Sequence, residues 1–260
     1  MNLVSALGLT TWIEPTRPNR RAFGVPDGGP LDAVSFRIAT ALAGSRSKVL
    51  EVVGAPVELA FDEPTWVAIA GAEGALTIDG LSRSHRNGRH RVQRSLVLAA
   101  PTHGWVTYVA LASKLGALAL GHPETLDHST PLRMTPSPDD LDQSDVVGRE
   151  WTVSITSDRR GWRLEGDAAQ GGPQGESEMA IPGLVQLPPG GKPIVLGPDG
   201  PTVGGYAKLG VLLPSDRFAL AQKRPGTPVQ LASVTWEEAR QAESTFEAAL
   251  NETTARLAWL

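Results

Sequence analysis

A mainly β protein of two domains is what this sequence predicts, on three observations. Glycine and proline are abundant, 28 and 21 of 260 residues, as tight turns between strands require. Short Val/Ile/Leu/Thr runs recur too closely for the helical crossovers of a parallel sheet. The length exceeds the roughly 100 to 150 residues of one ordinary core. The expected division is 1–130 and 149–260, with strands free to cross between them. Residues 131–148, rich in Asp, Pro and Ser, read as a linker or mobile loop.

In chain order, apolar-rich residues from Asn2 to Ile13 suit an opening strand and turn, and a polar loop with Pro15, Pro18 and Arg20 follows. Phe23 to Pro30 is turn-rich and leads into a helix from about Leu31 to Ala43. Leu31, Val34, Ile38, Ala41 and Leu42 share one face of it, and Gly44 stands where a left-handed cap belongs. Strand signals then run at 49–53, 57–61, 66–70, 76–79, 95–99 and 105–112. The run Ser82 to Arg94 carries five Arg and two His around Asn87-Gly88. It reads as the tip of a basic hairpin able to grip a phosphate or carboxylate.

The second half opens with a strand at 151–156. A short helix with Ser215 as N-cap and Phe218 and Leu220 inward is expected to stop at Pro225-Gly226. Thr235 and Glu238 form a capping box for a last helix bearing Trp236, Ala239, Ala242, Phe246, Ala249, Leu250 and Leu257 at helical spacing.

The formal charge of −4, from 24 basic and 28 acidic side chains, argues against long-range attraction to nucleic acid or an anionic membrane. The sequence has no cysteine, which excludes disulfides, thiolate metal sites and a cysteine nucleophile. No basic segment precedes an apolar core at the start and no 18-residue apolar run occurs, so a soluble cytoplasmic protein is expected. Walker, Gly-x-Ser-x-Gly and Gly-x-Gly-x-x-Gly patterns are missing. The five histidines lack metal-ligand spacing, and His122, Glu124, Asp127 and His128 fall in a loop; no metal is expected.

What remains is a Gly/Pro-rich pocket wall from Ile181 to Lys208, two short apolar runs around Pro-Pro-Gly-Gly followed by Gly204-Gly205-Tyr206-Ala207-Lys208. A glycine pair permits close backbone approach. Ser157, Arg159 and Arg163, Ser177-Glu178, Gln186, Tyr206 and Lys208 are the polar groups near it. Cations and amide donors in such a site suit a carboxylate, carboxybiotin or lactam.

Four blocks carry a resemblance: Gly24-Val-Pro-Asp-Gly-Gly-Pro-Leu-Asp32, Leu50 to Pro56, Ser157 to Gly166, and above all Ile181 to Lys208. Over most of its length the chain resembles the allophanate hydrolase subunit 2 family. That family takes in the C component of bacterial 5-oxoprolinase, a Kip-type antagonist of a sporulation kinase inhibitor, and the carboxyltransferase portion of urea amidolyase. The resemblance implies two cyclophilin-like β-barrels, few helices and a C-terminal helix. It also implies a B-like partner protein, an A-like one alongside, and ATP or carboxybiotin at the level of the complex, with no cofactor held by this chain. Lys208 and Tyr206 are the expected catalytic residues. Gln186, Arg159, Ser157, Gly204, Gly205 and Thr202 are expected to bind an amide or carboxylate. Departures from the usual family pattern stand at Thr11 to Pro15, Ser177 to Ala180, Pro201 to Val203 and Ala207, and 112–150 is shortened. A catalytically inactive regulatory binder of the Kip type is the alternative.

Overall fold

The computed structural model describes residues 2–6, 8–14, 16–44, 48–84, 86–120, 131–137 and 143–260. The chain forms two compact units, Met1–Glu14 with Asp32–Leu126 and Ala248–Leu260, and Pro15–Leu31 with Asp127–Glu247. Sequence position alone does not divide them: the loop 15–31 groups with the second unit, and the last residues with the first.

In the first unit, β1 (Asn2–Ala6), β2 (Leu9–Ile13), α1 (Ala33–Ala43), β3 (Val49–Val53), β4 (Val57–Ala60) and β5 (Thr65–Glu73) are followed by β6 (Leu76–Ile78), β7 (Leu81–Arg83), β8 (Gly88–Val92), β9 (Ser95–Leu98), β10 (His103–Ala112) and β11 (Leu118–Ala119). One sheet runs β1-β4-β9-β6-β7 and the other β11-β8-β5-β10-β3-β2. Period-2 alternation turns Val67, Ile69 and Val109 of the larger sheet toward Leu59, Leu76, Leu96 and Leu98 of the smaller one, giving one apolar core. The opposite face of β5 and β10 carries Ala68, Ala70 and Ala110, all buried, and α1 packs on these two strands.

Asp32 fixes the start of α1. Its Oδ1 accepts the Val34 and Ser35 N–H groups at 2.9 and 3.3 Å, and its Oδ2 accepts the Ser35 hydroxyl at 2.5 Å. The Tyr108 hydroxyl accepts the Asp32 N–H at 2.9 Å and donates to Glu51 Oε2 at 2.6 Å. Burial, then the charges of Glu51 and Asp32, push the Tyr108 phenol well above its ordinary value, so it remains a donor. Gly44 caps the helix at φ 72°, as expected.

The basic run is not a hairpin. β7 pairs with β6 through Asp79-Gly80, both at positive φ, whereas β8 pairs with β5 in the other sheet. Asp-Gly makes the tight turn instead of Asn87-Gly88, and β7 and β8 lie in different sheets. Asp79 also accepts the N–H groups of Gln93, Arg94 and Ser95 at 2.7 to 3.0 Å. Burial pulls its carboxyl up, but those three donors and the Arg83 charge hold it below the ordinary value of 3.8. The folded pKa is therefore the lower one. The stabilisation is complete above pH 3.8 and is lost as pH falls through the folded pKa. Urea midpoints measured against pH should lose this acid limb in Asp79→Asn.

The second unit contains β12 (Leu132–Pro136), β13 (Glu150–Val153), β14 (Gly161–Glu165), β15 (Gln174–Met179), β16 (Leu184–Leu187), β17 (Ile194–Leu196), β18 (Val203–Leu212), α2 (Pro214–Ala221) and β19 (Pro228–Ser233). The final helix α3 (Trp236–Trp259) begins in this unit and ends in the first. Strands run β12-β19-β13-β14-β17-β16-β18, and the β12–β18 pairing closes them into a barrel, with β15 added outside on β18. Trp162, Val185 and Val195 lie in register and are buried, and Val153, Leu164, Leu231 and Met134 continue this inner face. Residues 132–136, expected in a linker, are strand because Leu132 and Met134 are needed inside the barrel.

Helix α2 differs from expectation at both ends. Its N-cap is Leu213 with Pro214 at N1, where the fixed proline φ suits a first turn. Ser215 lies inside that turn and bonds Asp216 and Glu243. The helix stops at Ala221, ahead of Pro225, while Phe218 and Leu220 are buried as expected. The capping box of α3 is formed: Thr235 N donates to Glu238 Oε2 at 2.8 Å, and Glu238 N donates to Thr235 Oγ1 at 3.2 Å. Its buried stripe is narrower than expected, with Ala239, Leu250 and Leu257 covered but Trp236 61% exposed.

Candidate functional site

The face of β18 that turns away from the barrel interior carries Gly204, Tyr206 and Lys208, two residues apart. Lys208 is the register partner of Gln186 on β16, and a bulge follows, since Val185 already opposes Gly210. Alternation with the inward Val185 and Leu187 puts Gln186 on the outer face, and the extra residue Leu209 on β18 brings Lys208 to the same face beside it, although β16 is buried along its whole length.

Gln186 is 3% exposed and its Nε2 has no hydrogen-bond partner. A Cβ on Gly204 would stand 2.7 Å from that nitrogen, so glycine is what lets the amide reach across β18. Gly205 answers a different approach, because a Cβ there would meet the Gly175 carbonyl of β15 at 2.6 Å. The Lys208 side chain is 16% exposed, and Nζ bonds Glu178 Oε2 of β15 at 2.6 Å; the Glu178 side chain is 63% exposed. Tyr206, beside Gln174 in register, is 37% exposed. The structure thus gathers a buried amide donor, an ammonium and a phenol on one strip, with a solvent-facing carboxylate bonded to the ammonium.

The remaining expected residues lie apart from this strip in their bonding. Arg159 Nε donates to Asp199 Oδ2 at 2.7 Å, and Nη2 donates to Asp199 Oδ1 at 3.2 Å and to the Gly29 carbonyl at 2.6 Å. This fork ties the 15–31 loop to the Pro198-Asp199-Gly200 turn, as does the Gly28 N–H to the Pro198 carbonyl at 3.0 Å. Ser157 Oγ accepts the Arg163 N–H at 3.0 Å and shapes the β13–β14 connection. Thr202 is buried, and its carbonyl accepts the Ala180 N–H at 2.9 Å.

Sequence reasoning missed Asp199 as the partner of Arg159; the signal available was an acidic residue inside a Pro-Asp-Gly turn. It did not assign a strand to Glu178, which lies on β15 ahead of the turn at Pro182-Gly183. His122, Glu124, Asp127 and His128 lie outside the described residues. Among the described residues no group of three or more His, Asp or Glu is placed to hold a metal.

Gly204→Ala should leave the barrel folded, because the first obstacle is the tip of a side chain. It should expel the Gln186 amide from beneath β18. Comparing ligand affinity and Tm for the two proteins checks this: affinity is expected to fall at least about tenfold, the size of a lost buried donor, with little change in Tm.

The closed β-barrel carries amide, ammonium and phenol groups on one outer strip, donors of the kind that suit a carboxyl or amide group. The chain belongs to the carboxyltransferase domain family, subdomains A and B, which matches residues 23–121 and 119–233. It is 27% identical to the C component of Escherichia coli 5-oxoprolinase over 93% of this chain and 94% of that one. Urea amidolyase of Lachancea kluyveri is 23% identical over 95% of this chain, which spans 18% of it. In the solved structures, TTHA0988 matches with TM-score 0.77 at 23% identity, over 90% of this chain and 56% of that one. Kluyveromyces lactis urea carboxylase matches with TM-score 0.79 at 20% identity, over 96% of this chain and 29% of that one. These two structural likenesses show the fold, and the chain spans only part of both.

Proposed function

We propose that this chain is the C-type component of a 5-oxoprolinase-like or urea amidolyase-like carboxyltransferase complex. It binds a small amide or carboxylate on the strip formed by Gln186, Gly204, Tyr206 and Lys208. The observation that carries this reading is the unpartnered Gln186 Nε2, seated at Gly204 on a 3% exposed residue whose register partner is Lys208. A buried donor left without an acceptor is costly unless a ligand supplies one.

In this reading Lys208 exchanges the exposed Glu178 for the ligand and neutralises charge that develops on its oxygen. Gln186 fixes the ligand's orientation through its amide N–H. Tyr206 supplies a hydrogen bond or a proton. Gly204 admits the Gln186 amide and Gly205 the β15 backbone, and so they shape the strip that the ligand meets. Arg159 holds the Gly29 loop to the Pro198-Asp199-Gly200 turn, and Ser157 and Thr202 keep their neighbouring turns in shape. ATP or carboxybiotin enters with B-type and A-type partner proteins, and the chain works in the cytoplasm.

The test is reconstitution. Purified chain is combined with the A and B components of the E. coli type or of its own genome, and ATP-dependent opening of 5-oxoproline and carboxylation of urea are assayed. Turnover that requires this chain supports the reading. Failure of both reactions, with partners proven competent alongside their own C component, overturns it.

A second reading, the non-catalytic Kip-type binder, draws on one observation. A groove of about 620 Å³ on α3 is lined by Arg133, Glu238, Gln241, Ala242 and Phe246, near the exposed Trp236. It predicts partner binding that is lost in Phe246→Asp and untouched by Lys208→Met.

A further inference from the structure

The first unit holds a second group of orphaned polar atoms, on the two residues just ahead of β8. Arg86 there is 5% exposed, yet its Nε and Nη1 have no hydrogen-bond partner. Next to it Asn87 is 4% exposed, and its Oδ1 is likewise unpartnered, while Nδ2 donates to the Gly71 carbonyl at 3.2 Å. Burial draws the Arg86 guanidinium down to about 10, so it is still charged near neutrality.

The packing around it is specific. A Cβ on Gly74 would stand 2.5 Å from Arg86 Nη1 and 3.1 Å from the Ala100 carbonyl oxygen. Only a glycine at the end of β5 lets the guanidinium sit there. Among the described residues no carboxylate pairs with it. Asp79 is committed to three backbone N–H groups, and Glu73 lies 3.9 Å from the His103 ring nitrogen. The same β7–β8 region is basic: Arg83, Ser84, Arg89 and His90 border a cavity of about 200 Å³. Arg89 is spent on the carbonyls of Gly116, Leu42 and Leu260 at 2.9 to 3.3 Å.

A water molecule could fill a vacant acceptor position but would leave the charge uncompensated. We propose that Arg86 and Asn87, just ahead of β8, bind a small oxyanion, a carboxylate or a phosphate, with Arg86 as its charged anchor. An oxyanion that also bears an O–H or N–H satisfies Asn87 Oδ1 as well. This site is separate from the Gln186–Lys208 strip, and the proposal stands whether or not the reading of that strip does.

Thermal unfolding and calorimetric titration of the full chain with inorganic phosphate or with acetate, each at constant ionic strength set by chloride, test it. A saturable rise in Tm is expected with at least one probe, and the probe that gives it identifies which oxyanion is preferred. Arg86→Met should weaken that binding at least about tenfold. A wild-type protein that responds to neither probe, or an Arg86→Met protein that responds equally, overturns the proposal. Should Arg86→Met fail to fold, the Arg86 Nε–H resonance of the wild-type protein decides. A saturable shift supports the site, and no shift refutes it.

Discussion

Tyr108→Phe is expected to destabilise the first unit by about 3 kcal/mol, as for a buried hydrogen bond whose removal strands charged or polar partners. The hydroxyl is the sole atom group lost, but it joins two elements. It accepts the Asp32 N–H at the start of α1 and donates to Glu51 Oε2 on β3. Asp32, Glu51 and Tyr108 are all 0% exposed, so water cannot replace the bond without opening the structure. Because the phenol is pushed far above its ordinary value by burial and by the charges of Glu51 and Asp32, its contribution should not vary between about pH 6 and 9. Denaturant unfolding of wild type and variant across that range checks both the size and the flatness. A loss below about 1 kcal/mol would mean that other groups carry the junction.

Lys208→Met should lower turnover of the reconstituted complex by about 100- to 1000-fold, the range for removing one group that stabilises developing oxyanion charge. Complex assembly should be unaffected, since Lys208 is engaged by Glu178 within its own unit. Glu178→Gln makes a useful contrast. Its side chain is 63% exposed and serves as a stand-in partner for the ammonium, so its loss should leave turnover within about threefold of wild type, as for an exposed ion pair.

Much of the fold is legible in the sequence because local signals agree with the global arrangement. Gly44, the Thr235/Glu238 box and the short β runs of the first half each specify their own geometry, and α1 and α3 follow from them. The errors fall where partner choice is non-local. Nothing in Ser82 to Arg94 says that β7 and β8 belong to different sheets; that is decided by Asp79-Gly80 closing β6 onto β7 first. Strand β12 is hidden in an Asp- and Pro-rich stretch because only Leu132 and Met134 point inward. Strand β15 is hidden because all six of its residues are exposed, which leaves no apolar alternation to read.

The candidate site is legible as a motif but not as a geometry. The glycine pair reads as one place of close approach, and the structure shows two separate approaches, the Gln186 amide at Gly204 and the β15 backbone at Gly205. The bulge that brings Gln186 beside Lys208 depends on the register of two strands that are not adjacent in sequence. Charge alone groups Arg159 with the binding residues; its donors go to Asp199 and Gly29.

The Gln186–Lys208 strip is tested most directly by turnover of the complex reconstituted with wild-type or Lys208→Met chain, read beside the amount of assembled complex. Equal assembly is expected, with activity from the wild-type chain and about 1% of it or less from the variant. Equal activity from the two complexes would contradict this and remove the strip from the chemistry.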